Sequence, residues 1–570
     1  MNNAEIAGIL DEIGDLLELK EESVFKVRSY RRAARGIESL EVPAQRYHEE
    51  GMLEDVPGVG KAIASKVGEL LETGELGYLN DLREEFPTGL LEIMRIPEIG
   101  PKTTLRLYRE LGVETVDDLE RAAREGKVRE LKGFGASSEG NMLRGIELFR
   151  RRTGRLLLGQ AYPAAEGLIH FLMEGDLERV NIAGSLRRMR ETIGDIDLLV
   201  GSDRPEEVMD LYLSFPEITQ VISRGRTKSS IRLGRDLQVD LRVVSPESYG
   251  AALQYFTGSK DHNVRLRTRA IELGYKINEY GVFDKGTGER LGGEDEKEVY
   301  RMLHLQYIPP ELREDRGEIS AASEDRLPDL LELEEVKGDL HVHSDLSDGD
   351  ASVSEIARRA KKRGYGYVGI TDHSESLKVA GGLTAGELRE SCDLVRRVSD
   401  GMEDFEVLQG VELDIKEDGG LDYPDEVLKD LDFVVGAVHS RFNMGREEMT
   451  ERMVRAMSNE YLSIIAHPTG RILERREPYE LDLGRVMEEA REQGVMLEVN
   501  CFPDRLDLKD VHCRMAKEAG VTLALGTDAH TLTHLDHMRY GVATARRGWI
   551  GPEEVVNTLE VDELRRRMAR

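Results

Sequence analysis

Five apolar runs in the second half of the chain each end in titratable residues. YGYVGITDH closes on Asp372 and His373, FEVLQGVELD on Glu412, LDFVVGAVHS on His439, YLSIIAHP on His467 and VTLALGTDAH on Asp528 and His530. A sixth stretch, GDLHVHSDLSDG at 338–349, carries His341, His343 and Asp348. Continuous apolar runs suit parallel strands covered on both faces. Reactive side chains at the C-terminal ends of many such strands place one site on one face of a β/α barrel. A lone histidine at a strand end is usually structural, but six ends supplying His, Asp or Glu point to a shared cluster. Burying that cluster is costly unless something pairs it.

The barrel begins late. A chain of 570 residues is too long for one core and predicts several domains. The segment 309–335 holds ten acids, three bases and three prolines and reads as a solvated linker. Nine of the 13 histidines lie beyond residue 340, so the chemistry changes across it. No apolar run reaches the roughly 18 residues of a membrane span. The opening MNNAEIAGILDEIGDLLELK has acids where a signal peptide needs bases, which predicts a cytoplasmic protein. Cys392, Cys501 and Cys513 give no disulfide framework. A formal net charge of -31 argues against a surface that coats nucleic acid throughout. Two tracks, VFKVRSYRRAAR (24–35, with Arg31 and Arg32) and ISRGRTKSSIRLGR (222–235), carry five bases each and no acid.

Before the linker, helical spacing gives way to three glycine turns: DVPGVGKAIASKV (55–67), RIPEIGPKTTLRL (95–107) and LKGFGASSEGNML (131–143). One such turn would be a helix C-cap. Three at similar spacing resemble the helix-hairpin-helix motif of DNA-binding proteins. There Gly58, Gly60, Gly100, Gly133 and Gly135 would free backbone N–H groups for a phosphate at a helix N-terminus. Glu98 stands where the second turn needs its first glycine. Such contacts read no sequence.

NIAGSLRRMRETIGDIDLLV (181–200) sets Gly184-Ser185 ahead of Asp195 and Asp197, which share one face of a strand. LQVDLRVV (237–244) adds Asp240 from a second strand. Three neighbouring carboxylates repel unless cations sit between them, and two Mg2+ ions are the usual answer in phosphoryl transfer. Gly-Ser followed by Asp-x-Asp is a general nucleotidyltransferase signature. YFTGSKDHNVRLRTRAIELGYKINEYGVF (255–283) narrows it, because it closely resembles the nucleotide-selecting segment of family X DNA polymerases.

That resemblance spans about residues 1–315 and implies roles. Tyr255 and Phe256 would wall the incoming sugar, Gly258 would leave room for the deoxyribose, and Asn263 would face the minor-groove edge of the base. Gly184, Ser185 and Arg188 would hold the triphosphate. Lys260 would pair with the incoming nucleotide. Gln238 stands where an arginine often sits. Members can carry a lyase for 5′-deoxyribose phosphate, with a Schiff-base lysine, and Lys66 falls on that position with Lys26 as a basic neighbour.

The motifs DLHVHSDLSDG, TDHSES, GVELD, AVHS, AHP and GTDAH match the PHP (polymerase and histidinol phosphatase) family. The resemblance implies a distorted (β/α)7 barrel. Its ligands for up to three ions would be His341, His343, Asp348, His373, Glu412, His439, His467, Asp528 and His530.

The expected fold is α+β multidomain. It runs as a helical DNA-binding, lyase-like domain (1–80), a helix-hairpin-helix domain (81–150), a nucleotidyltransferase palm (151–245) and a small α+β nucleotide-selecting domain (246–315). A linker (316–336) and an α/β PHP barrel (337–570) follow. The expected function is a gap-filling family X DNA polymerase with a metal-dependent nuclease. It would take gapped DNA and dNTPs, with Mg2+ at the palm and Zn2+ or Mn2+ at the barrel, as a monomer. The alternative is a DNA-end-binding nucleotidyltransferase whose barrel is a small-molecule phosphatase or a non-catalytic scaffold.

Overall fold

The computed structural model describes the chain except residues 1–2, 39, 41–43, 50, 75, 88, 95, 97–98, 153–154, 176, 178, 235–236 and 569–570. Glu98 therefore lies outside the described residues.

The helices Asn3–Leu19 and Val24–Glu38 meet along apolar positions three and four apart. Ile6, Leu10, Ile13 and Leu17 face Val27, Tyr30, Ala33 and Ile37. The same buried cluster continues through Leu107, Leu119 and Ile146, so the helices on both sides of residue 80 share one core. Two of the glycine turns use backbone open to glycine: φ is +82° at Gly58 and +90° at Gly133. Gly60 and Gly100 precede the helices Lys61–Thr73 and Pro101–Leu111.

The palm is a five-stranded sheet in the order Val180–Ile182, Ile196–Gly201, Gln238–Val244, Lys228–Arg232, Gln220–Arg224. Its two central strands are parallel, and their register sets Asp197 directly opposite Asp240. The helices Leu158–Glu174 and Pro205–Tyr212 contribute to its core with Leu198, Val200, Val239 and Leu241. The helices Tyr249–Thr257 and Lys260–Glu272 follow, with a three-stranded antiparallel sheet from Tyr275 to Gly292.

The segment 309–335 is not the solvated linker its composition predicts. Arg313 is fully buried with its guanidinium on Glu296, and Glu318 is buried against His262. The helix Glu318–Ser323 lies within it. Leu330 and Leu331 are buried, and the Leu331 N–H donates to Ile550 O. Glu311, Arg313, Glu314, Arg316 and Glu318 are spent on partners distant in sequence, while Glu324, Asp325, Arg326 and Asp329 stay exposed, and the few leucines reach cores on both sides.

The C-terminal strands are all parallel and form seven tracks around the barrel: Gly338–Val342, Tyr367–Ile370, Glu406–Gln409 continued by Glu412–Asp414, Val435–Ala437, Ile464–Ile465, Met496–Asn500 and Leu523–Gly526. The third track breaks after Gln409, so its first part pairs with 367–370 and its second with 435–437. Bridges Val342–Ala529 and His373–Glu412 link the two resulting sheets. The three cysteines are free. Among the described residues no helix is long and apolar enough to cross a membrane.

Candidate functional site

All nine barrel residues expected from the sequence converge. Glu412 sits at the centre. Its Oε2 lies 2.9 Å from His373 Nδ1, 3.5 Å from His341 Nε2 and 3.6 Å from His343 Nε2. Its Oε1 lies 2.9 Å from His467 Nε2 and 3.3 Å from His439 Nε2. Among the described residues, three groups have ligand atoms close enough for one ion each: His343, Asp348, His373 and His530; His341, His343 and Asp528; and His373, Glu412 and His439. His467 reaches Glu412 without joining any of the three.

The electrostatics ask for cations. Both ring nitrogens of buried His343 lack a hydrogen-bond partner, and so does His341 Nε2. Burial, with His373 and His530 alongside, pushes the pKa of His343 down to about 4, which keeps the ring neutral and its lone pair open. Burial would raise the carboxyls of Glu412 and Asp528. The surrounding imidazoles outweigh it and hold both well below the usual carboxylate range.

A further set of residues orients the ligands. Glu498 Oε1 lies 2.6 Å from His341 Nδ1, and its Oε2 accepts the His467 N–H at 2.7 Å. Asp414 Oδ1 lies 2.9 Å from His439 Nδ1. Asn500 Nδ2 donates to Asp528 Oδ2 at 3.1 Å, and Arg505 Nε lies 3.3 Å from the same oxygen. The sequence reading missed Glu498, although an acid inside the apolar run VMLEVN was its signal. Asp372, at a strand end but outside the ligand set, accepts from the Ser344 N–H and hydroxyl and from the Ser347 hydroxyl.

At the palm, Asp195 is exposed just ahead of its strand, Asp197 is half-buried and Asp240 is buried. Burial, then Asp195 and Asp240, push the Asp197 carboxyl up to about 7. That strain between like charges is what a divalent cation would relieve. Gly184 has φ +61°, and a Cβ there would fall 2.2 Å from Asp197 Oδ2, so the Gly184-Ser185 turn is pressed against the carboxylates. Lys228, which the sequence reading missed, places Nζ 2.7 Å from Asp240 Oδ2, and Gln238 donates to Oδ1 at 2.9 Å.

Arg188 spans from this turn to the next domain. Its Nη1 donates to Thr257 O at 2.5 Å and lies 3.2 Å from where a Cβ on Gly258 would stand. The rings of Tyr255 and Phe256 meet edge to face at 5.1 Å. Asn263 is buried, donating to Tyr255 O and accepting from Gln254, while Lys260 is exposed at the start of its helix.

In the N-terminal helices, Lys66 Nζ lies 4.7 Å from the centre of the Tyr78 ring and Lys26 Nζ 5.9 Å from it. Both line a cavity of about 930 Å3 with Tyr30, Arg32, Gly58 and Lys61. A Cβ on Gly60, Gly100, Gly133 or Gly135 would meet nothing within 4 Å, so these backbone turns are open to a ligand. Arg31 is paired with Asp15 and Glu18. Arg32 Nε lies 3.4 Å from Asp350 Oδ1 on the barrel rim, and Arg28 donates to Val379 O at 3.0 Å.

Four family models match: a helix-hairpin-helix domain (residues 1–76), a SAM-like helix-hairpin-helix tandem (90–147), the DNA polymerase beta thumb (252–314) and the PHP domain (339–501). The chain is 39% identical over 567 residues to the DNA polymerase/3′-5′ exonuclease PolX of Bacillus subtilis (strain 168), covering 99% of each. It is 30% identical over 233 residues to a probable phosphatase of Thermoanaerobacter sp. (strain X514), covering 39% of this chain and 89% of that one. A probable phosphatase of Caldanaerobacter subterraneus subsp. tengcongensis is 32% identical over 240 residues, or 40% of this chain and 89% of its own.

Proposed function

Because the chain belongs to the family X DNA polymerases that carry a C-terminal PHP domain, we propose that it fills short gaps in DNA during base excision repair and trims or opens strands with its barrel. The observation that carries the polymerase reading is the register of Asp197 against Asp240, with Gly184 pressed on the same carboxylates. Divalent cations held by Asp195, Asp197 and Asp240, Mg2+ in this reading, would offset the charge on the triphosphate and the reacting oxygens. Asp240 would accept the proton of the primer 3′-hydroxyl. Gly184, Ser185 and Arg188 would bind the triphosphate, while Tyr255, Phe256 and Gly258 would exclude a 2′-hydroxyl. Asn263 and Lys260 would contact the incoming nucleotide.

The domain division is proposed at 1–80 and 81–150, two functional parts of one helical core, then 151–245, 246–315 and 337–570, with 316–336 as a connector. DNA would lie along the open glycine turns by phosphate contacts that read no sequence. At the barrel, Zn2+ or Mn2+ would activate water for cleavage of a phosphodiester at a 3′ end or abasic site. The Lys66 cavity would hold a 5′-deoxyribose phosphate.

A second reading makes the barrel a small-molecule phosphatase, and the similarity to proteins named probable phosphatases favours it. Two assays decide. Extension of a primer across a gapped duplex with dNTPs and Mg2+ tests the polymerase, and absence of extension overturns it. Release of nucleotides from 3′-recessed DNA, set against hydrolysis of p-nitrophenyl phosphate, separates nuclease from phosphatase.

A further inference from the structure

One buried barrel side chain reaches Arg188 of the palm. Arg547 ends the helix Met538–Arg547, which packs beside the last barrel strand, and is 5% exposed. Its Nη1 donates to Arg188 O at 2.6 Å and to Glu314 Oε1 at 3.0 Å, and its Nη2 donates to Asp510 Oδ2 at 2.8 Å. Glu314 Oε1 also accepts from Arg188 Nε at 3.1 Å, and Asp510 Oδ2 from Arg316 Nη1 at 2.9 Å. Charges alternate along this chain: Arg188, Glu314, Arg547, Asp510, Arg316. It crosses from palm to thumb to barrel.

A carboxylate facing Arg188 competes with any triphosphate for the same guanidinium. Glu314 is that competitor. With Arg547 present, Glu314 divides its charge among three arginines, Arg188, Arg547 and the more distant Arg190, and the Arg188 carbonyl is tethered from behind. Without Arg547, Glu314 faces Arg188 and the more distant Arg190, whose Nη1 lies 3.5 Å from Oε2. The backbone of Arg188 also loses its anchor. Arg188 would then hold Glu314 more tightly and a triphosphate less.

We propose that Arg547, a barrel residue, is a positioning residue for the incoming nucleotide, acting on the palm through Glu314 and the Arg188 carbonyl. The inference rests on the reading that Arg188 binds the triphosphate. It makes the barrel a structural part of the polymerase site, apart from any chemistry of its own.

The test is single-nucleotide insertion by the full-length protein on a one-nucleotide gap, with dNTP titrated at fixed Mg2+. Arg547→Ala should raise KM for dNTP about tenfold with kcat within about twofold, as expected for lost ground-state binding through one charge-assisted contact. Glu314→Gln added to Arg547→Ala should return much of the lost affinity, because the competitor's charge is gone. Arg547→Lys keeps the buried charge on a compact ammonium without the planar fork that spans these acceptors, and should give the same split at smaller amplitude. If Arg547→Ala does not fold, that variant carries the test. An unchanged KM, or a loss confined to kcat, overturns the proposal, as does a KM rise that Glu314→Gln does not reduce. Arg188→Ala separates the premise from the inference. If it leaves KM unchanged, the triphosphate reading fails. If it raises KM while Arg547→Ala is silent, only the inference fails.

Discussion

Lys228 Nζ stands 2.7 Å from Asp240 Oδ2, so the most buried carboxylate of the palm site already faces a cation from the neighbouring antiparallel strand. Burial would raise Asp240. The bonds from Lys228, Gln238 and Ser230 outweigh burial and hold it below the usual range. Lys228 therefore does part of the work of a metal and competes with one for the same oxygen. Lys228→Ala should lower the melting temperature of metal-free protein and enlarge the rise on adding Mg2+. Thermal melts with and without Mg2+ test this, and an unchanged Mg2+ increment would count against the competition.

Asp197 gives a stability prediction with a definite sign. Its folded pKa is raised to about 7 from the usual aspartate value of 3.8. The corresponding stability is present below the unfolded pKa and is lost as pH rises through about 7. Asp197→Asn cannot ionise, so in metal-free protein it should be more stable than wild type at pH 8, by roughly 1–3 kcal/mol. The gain should shrink towards pH 4, and nucleotide addition should be abolished. Denaturant melts at the two pH values check the sign.

The two metal sites should fail independently. Asp195 is exposed, so Asp195→Ala should leave the fold intact and cut nucleotide addition by about 10^3-fold or more. Barrel cleavage should persist. His341→Ala removes a ring oriented by Glu498 and should do the reverse. Loss of both activities in either folded variant would contradict a two-site enzyme.

Lys66 tests the lyase. Its amine and that of Lys26 both lie over the Tyr78 ring inside one cavity. Borohydride should trap wild-type protein covalently on a 5′-incised abasic substrate. Lys66→Ala should lose that adduct while DNA affinity falls only a few-fold. Equal trapping in both proteins would leave Lys66 as a phosphate contact.

Most barrel ligands were legible because they stand at or just beyond a strand end, where a polar residue interrupts an apolar run; His341 lies inside the first strand and Asp348 in the loop after it. The palm aspartates were legible because strand period sets Asp195 near Asp197. What escaped depends on partners far apart in sequence. Lys228 meets Asp240 only once two strands are paired in one register. Arg547 and Glu314 are 233 residues apart. The segment 309–335 misled for the same reason: its charges looked solvated until Glu296 and Asp510 were placed beside Arg313 and Arg316.

The contact between Arg32 and Asp350 changes what a salt titration counts. A guanidinium that meets a phosphate normally displaces a condensed cation, and the slope of log affinity against log salt tallies those departures. Here the guanidinium must first leave a carboxylate, which then recruits a cation of its own. One ion departs from the DNA while another settles at the barrel rim. The slope for this protein should therefore read lower than the number of phosphates it touches, and Asp350→Asn should steepen it.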